Sequence, residues 1–330
     1  MLKEEITVPG LGHLGKDTDL MECESTSDGA YKTGECDVEH IFITADRKEE
    51  FIVFPNKTLA YVPSAMGYSA YYPVLDLELE RPVEGVLMDL DGTSVKSEEF
   101  WMWIIGNSMK AVTKNPRFEF EDADIPFISG NCISEHLYYC IEKYCPDVPY
   151  QVLRDEYFSE VEYEMREIME GRGKDGAFTP AEGLKDLLLS LREKNIKIGL
   201  VTSGLYEKAM PEIISAFKTL KMGDPVDFYD AIITAGTTFR KGQTSTLTEL
   251  PVKPHPWLYA ETGQFGLKIP FERRNRVIAI EDSGAGICSA RLAGYYTIGI
   301  GGGNIEKSGT KFLCGSYFEN LIEAKDFILE

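Results

Sequence analysis

Val86-Leu87-Met88-Asp89-Leu90-Asp91-Gly92-Thr93 is an apolar run that ends on two carboxylates and a glycine. Val86 to Met88 read as a short buried strand, whose carboxyl end then carries Asp89 and Asp91 two residues apart. Held there, one acid can attack an electrophile while the other, if protonated, donates to a leaving oxygen. Gly92 lets the backbone turn sharply, and nearby N–H groups can face an anion. A solvated Asp-Gly turn after a strand is the plainer reading of the same residues.

Downstream, from about residue 180, strands and helices alternate. Pro180 to Lys194 has the pattern of an amphipathic helix, and Ile196 to Val201 that of a buried strand. Tyr206 to Leu220 reads as a helix, with Pro211 implying a break or a first-turn proline. Ala231-Ile232-Ile233, Val277 to Ile280 and Tyr296 to Ile300 are further strands. Ala285 to Ala293 and Tyr317 to Leu329 are helices. Such alternation specifies a parallel sheet covered on both faces, with ligands at the carboxyl ends of its strands.

Three more clusters sit at such places. Leu200-Val201-Thr202-Ser203-Gly204 offers a hydroxyl and backbone donors at a helix start, suited to an anionic oxygen or, equally, to a helix cap. Val252-Lys253-Pro254-His255-Pro256 holds a lysine between prolines, either an exposed loop residue or a counter-charge for a phosphate; His255 reads as structural or exposed. Ile280-Glu281-Asp282-Ser283-Gly284 ends an apolar strand on two acids. Buried carboxylates favour a bound cation, and a hard oxygen set suits Mg²⁺, although Asp282 or Ser283 can also cap the next helix.

Upstream, residues 1–36 show no clear periodicity. Phe51 to Phe54, a Pro55-Asn56-Lys57-Thr58 loop and Leu59 to Pro63 read as a hairpin. Residues 1–82 thus form a small β-rich extension. Between Thr93 and Thr202 the chain is mostly helical, near 95–114, 133–144 and 150–170.

The 330 residues, 43% hydrophobic and 27% charged, suffice for a large domain carrying an inserted module. A net charge of -20 argues against nucleic acid and anionic lipid as partners, though a metal or local cation can still admit an anionic metabolite to one cleft. Seven cysteines without a C-x-x-C pair indicate neither a disulfide framework nor a zinc site, so reduced thiols are expected. No signal-like leader and no apolar span of 18 residues are visible, which predicts a cytoplasmic protein.

The four clusters, in this order and on these strand ends, resemble the haloacid dehalogenase superfamily of phosphatases over roughly residues 83–330. The resemblance implies a Rossmann-like core, 83–94 plus 178–330, with a helical cap at 95–177. It implies that Asp89 forms an aspartyl-phosphate and that Asp91 is the general acid and later the base. Thr202, Ser203, Gly204 and Lys253 would bind the phosphoryl group. Mg²⁺ would be held by the Asp89 side chain, the Asp91 carbonyl and Asp282, with Glu281 nearby.

Insertion of helices after the first motif is similar to the β-phosphoglucomutase and phosphoglycolate-phosphatase branch. In that branch Ile128-Ser129-Gly130-Asn131 would be a cap loop that sets specificity. Departures are Lys96 where an acid is usual, Val252 where glycine is usual, and Trp101 where mutases carry histidine. Phosphonate-cleaving relatives commonly have alanine at the position of Asp91, so Asp91 favours phosphate esters. The expected function is a Mg²⁺-dependent phosphatase acting on a small phosphorylated metabolite. A phosphomutase and a catalytically silent binding or regulatory protein are the alternatives.

Overall fold

The computed structural model describes residues 5–63, 69–121, 124, 133–236, 241 and 250–330. The chain forms two compact units. One comprises Met1–Ser94, Ala181–Ala209 and Met222–Glu330, the other Val95–Pro180 and Met210–Lys221.

The first unit is built on a six-stranded parallel sheet. Its strands are β8 (Gly85–Asp89), β11 (Lys197–Leu205), β12 (Ala231–Ala235), β13 (Val277–Glu281), β14 (Tyr296–Ile300) and β15 (Ser316–Phe318). The order β12-β11-β8-β13-β14-β15 puts β8 at an interior position, where all five of its residues are buried. This is the α/β, Rossmann-like architecture expected from the alternation of elements. On one side Leu87, Val201, Ile233 and Ala279 pack with Leu258, Tyr259 and Leu267. Each buried Leu, Val or Ile among these contributes roughly 1.5–3 kcal/mol.

The N-terminal segment holds a two-stranded pair, β1 (Ile6–Val8) with β2 (Gly12–Leu14). It also holds a five-stranded antiparallel sheet of β3 (Leu20–Glu22), β4 (His40–Thr44), β5 (Glu50–Phe54), β6 (Lys57–Val62) and β7 (Ala70–Pro73). Leu20, Phe42, Phe51, Val53, Ala60 and Val62 share one core with Ile287, Cys288, Leu292, Ile305 and Leu313. The extension is therefore packed into the first unit.

The second unit contains helices Glu98–Thr113, Ile133–Tyr144 and Tyr150–Met169, and a short pair of β9 (Val95–Lys96) with β10 (Thr179–Pro180). No helix among the described residues is long and apolar enough to cross a membrane.

Several local expectations are corrected. Residues 1–36 do contain strands, three residues each and too short to impose a visible period. The hairpin turn is only Pro55-Asn56, because Phe54 pairs with Lys57, and Thr58 is buried with its hydroxyl on the Pro9 carbonyl at 2.6 Å. Pro180 pairs with Val95, so the following helix waits for Gly183 at φ +80° and runs Leu184–Glu193. Helix Tyr206–Leu220 continues through Pro211, which stands in its second turn and so removes one hydrogen bond from the backbone ladder. The last helix begins at Leu321, capped by the Asn320 side chain, and Ser316–Phe318 instead adds the edge strand β15.

Candidate active site

Asp89 is the last residue of β8, and β11 and β13 flank that strand in parallel register. Val201 pairs with Asp89 and Ile280 with Met88, so Glu281 follows at the level of Asp89 and Thr202 one residue beyond it. Three clusters far apart in sequence are thereby gathered by strand pairing alone. Ligand oxygens of Asp89, Glu281 and Asp282 all lie within 4.8 Å of one another, and all three residues are buried.

Lys253 supplies the nearby positive charge. Its Nζ donates to Asp89 Oδ1 and, at 2.6 Å, to Glu281 Oε1. Burial alone would lower this ammonium, but the Asp89 and Glu281 carboxylates overcome that and hold it above the ordinary lysine value. Burial and the neighbouring Glu281 push Asp89 well above the usual carboxylate range, with Lys253 pulling the other way. Tyr259 completes the Glu281 environment, its hydroxyl donating to Oε1 at 2.7 Å.

Two glycines make room for Asp282. A Cβ on Gly92, where φ is +83°, would stand 2.0 Å from Asp282 Oδ2. A Cβ on Gly303 would stand 2.5 Å from that same oxygen. Thr93 Oγ1 donates to Asp282 Oδ1 at 3.2 Å, and Asn304 fastens the next turn, its side chain accepting from Gly284 N at 2.8 Å. Ser283 caps helix Gly284–Leu292 by accepting from Gly286 N. The cap reading and the acid-pair reading of this motif thus hold together, on different residues.

The remaining expected residues divide. Thr202 Oγ1 accepts from Gly204 N at 2.9 Å, which leaves its hydroxyl proton to donate. Ser203 Oγ accepts from Lys253 N at 3.1 Å and so ties the second cluster to the third. Asp91 is half-exposed, with Oδ1 3.3 Å from Lys208 Nζ. His255 is buried. Ser129, Gly130 and Asn131 lie outside the described residues.

Lys208, Tyr259 and Asn304 were not singled out from the sequence, and Thr93 was read as the end of the first motif without a role of its own. Asn304 follows a Gly301-Gly302-Gly303 run, a weak signal. Lys208 and Tyr259 sit in ordinary helical sequence.

The residues fit a hard divalent cation. Three buried carboxylates cluster together and one ammonium contacts two of them, an oxygen donor set with surplus negative charge. Gly92 and Gly303 keep the Asp282 side of that cluster free of side-chain carbon.

A family model described as haloacid dehalogenase-like hydrolase matches residues 86–300. Phosphonoacetaldehyde hydrolases of two Bacillus cereus strains, G9842 and ATCC 14579, are 27% and 29% identical over 37% and 41% of this chain. Those matches cover 39% and 43% of the two proteins, so the chain spans about two fifths of the curated relatives it matches. Among solved structures, a predicted phosphoglycolate phosphatase from Haemophilus somnus superposes with a TM-score of 0.51 at 16% identity, covering 74% of this chain and 97% of that one.

Proposed function

The chain belongs to the haloacid dehalogenase-like hydrolase family, and from that premise we propose that it is a Mg²⁺-dependent phosphatase of small phosphorylated metabolites. One observation carries the reading: Asp89, Glu281 and Asp282 converge at the carboxyl ends of adjacent strands, with the Lys253 ammonium on Asp89 and Glu281.

In the proposed mechanism an Asp89 oxygen attacks phosphorus, and the bond to the leaving alkoxide oxygen breaks as an aspartyl-phosphate forms. Asp91 gives its proton to that oxygen, a contribution typically worth about 10²–10⁴-fold. Asp91 then takes a proton from water, whose oxygen displaces Asp89 and releases phosphate. Lys253 offsets charge on the transferring group, and the Thr202 hydroxyl, oriented by the Gly204 N–H, donates to one of its oxygens. Asp89, Asp282 and the Asp91 carbonyl, with Glu281 behind them, would hold Mg²⁺, which supplies further positive charge against the phosphoryl oxygens. Lys208 Nζ, 3.3 Å from Asp91 Oδ1, would orient that carboxyl.

Similarity to phosphonoacetaldehyde hydrolases supports a second reading, cleavage of a carbon–phosphorus bond. Asp91 favours the ester, because a positioned acid is what an oxygen leaving group requires. Trp101, in place of the mutase histidine, favours hydrolysis over phosphoryl return to a sugar.

The test is release of inorganic phosphate from a panel of phosphorylated metabolites and phosphonoacetaldehyde, with and without Mg²⁺. Asp89→Asn should abolish turnover while the protein stays folded. Substantial residual turnover in that variant would remove Asp89 from the nucleophile role. Isomerised sugar phosphate without free phosphate would identify a mutase.

A further inference from the structure

The N-terminal sheet reaches the loop that carries Lys253. Tyr72, on β7, places its hydroxyl 2.7 Å from His255 Nδ1, and the two rings meet edge-on with centroids 5.8 Å apart. His255 is 1% exposed and stands two residues beyond Lys253. Burial lowers its imidazole below the ordinary value, consistent with a neutral ring whose Nδ1 accepts from the Tyr72 hydroxyl.

The same loop is held from a second side. Ser289 Oγ donates to the His255 carbonyl at 2.6 Å, and His255 N closes a turn onto Val252 O at 3.1 Å. Ser289 lies on helix Gly284–Leu292, and that helix is fastened to the extension in turn. The Arg291 Nη2 group, on the same helix, donates to Gly10 O at 2.5 Å and to Leu75 O at 2.6 Å. The β1–β2 turn at Gly10, the chain just beyond β7 at Leu75 and the helix after Glu281-Asp282 are therefore tied together, with the His255 turn clamped between the Tyr72 hydroxyl and Ser289.

This clamp bears on the ammonium. Lys253 carries its charge on a flexible four-carbon stem, so where that charge rests depends on where the backbone holds the stem. Its backbone N–H is fixed by Ser203, and its side chain ends on Asp89 and Glu281. The segment immediately beyond is fixed by Ser289 and Tyr72.

We propose that Tyr72 is a positioning residue for Lys253, acting through His255, which makes the N-terminal sheet a working part of the phosphoryl-binding centre. The proposal rests on the phosphatase reading of Lys253. A bond that only satisfied a buried imidazole would stabilise the fold and leave phosphoryl binding unchanged.

The experiment compares full-length Tyr72→Phe, His255→Leu and His255→Gln with the unaltered protein, folding being checked by circular dichroism and urea midpoint. Turnover is read from p-nitrophenyl phosphate with Mg²⁺, and binding of a phosphoryl mimic from inhibition and calorimetry with orthovanadate. Tyr72→Phe keeps the ring and loses one hydrogen bond, so kcat/KM should fall about three- to tenfold. Orthovanadate should weaken in parallel, while the Mg²⁺ activation constant stays put. His255→Leu should lose at least as much, and His255→Gln, whose side-chain oxygen can accept from Tyr72, should recover part of it. Folded Tyr72→Phe with unaltered kcat/KM and orthovanadate affinity overturns the proposal, as does equal loss in the Leu and Gln variants. An unaltered protein that neither releases phosphate nor binds orthovanadate overturns the phosphatase reading itself, and the positioning role with it.

Discussion

Glu49 is the acid whose burial should govern how stability depends on pH. It is fully buried in the connection between β4 and β5, with Oε2 3.2 Å from Thr44 Oγ1. Desolvation, reinforced by the Asp46 charge, pushes its carboxyl from an ordinary 4.5 up to about 8. In the unfolded chain the group loses its proton near 4.5, whereas the folded chain retains it until about 8. The folded state therefore binds more protons across that window, so stability falls as pH rises through it and is fully present below 4.5. The gap between the two values corresponds to at most about 5 kcal/mol, and relaxation of the site will reduce it. Glu49→Gln removes the titration. Urea unfolding at intervals from pH 4.5 to 9 should give a midpoint that declines for the unaltered protein and a visibly flatter profile for the variant. Parallel profiles for the two proteins would refute the assignment, because the decline would then belong to other groups.

Further expectations concern the site and the extension. Asp282→Ala should raise the Mg²⁺ concentration needed for half-activation by more than tenfold, and an unchanged metal titration would contradict the metal assignment. In Gly92→Ala the new Cβ would meet Asp282 Oδ2 at 2.0 Å on a backbone of φ +83°. That variant should lose most activity at fixed Mg²⁺, and activity near the unaltered level would show that Asp282 can shift harmlessly. Deleting residues 5–80 uncovers Ile287, Cys288, Leu292, Ile305 and Leu313 and removes the carbonyl partners of Arg291. At roughly 1.5–3 kcal/mol for each apolar side chain returned to water, the remainder should be insoluble or unfolded. Soluble, fully active truncated protein would make the extension an accessory.

What the sequence by itself determined about this protein is the parallel α/β core and the residues that stand at its strand ends. Those signals are local: Val86 to Asp89 or Val277 to Glu281 is an apolar run, an acid and a turn, legible within ten residues. Parallel pairing then converts local position into proximity, since strand ends in one sheet lie side by side whatever their distance along the chain. The short strands β1, β2, β3 and β15 escaped notice because three residues are too few to establish a period.

Only the tertiary structure decided which side chains meet across long separations. Asp91 and Lys208 are 117 positions apart, Tyr72 and His255 are 183 apart, and nothing in either local sequence marks one as the partner of the other. Packing of the extension against helix Gly284–Leu292 was hidden for the same reason: an apolar face states that it will be buried, without naming what will cover it. Strand registers and helix placements select those partners, and both are settled by the sum of many weak contacts over the whole core.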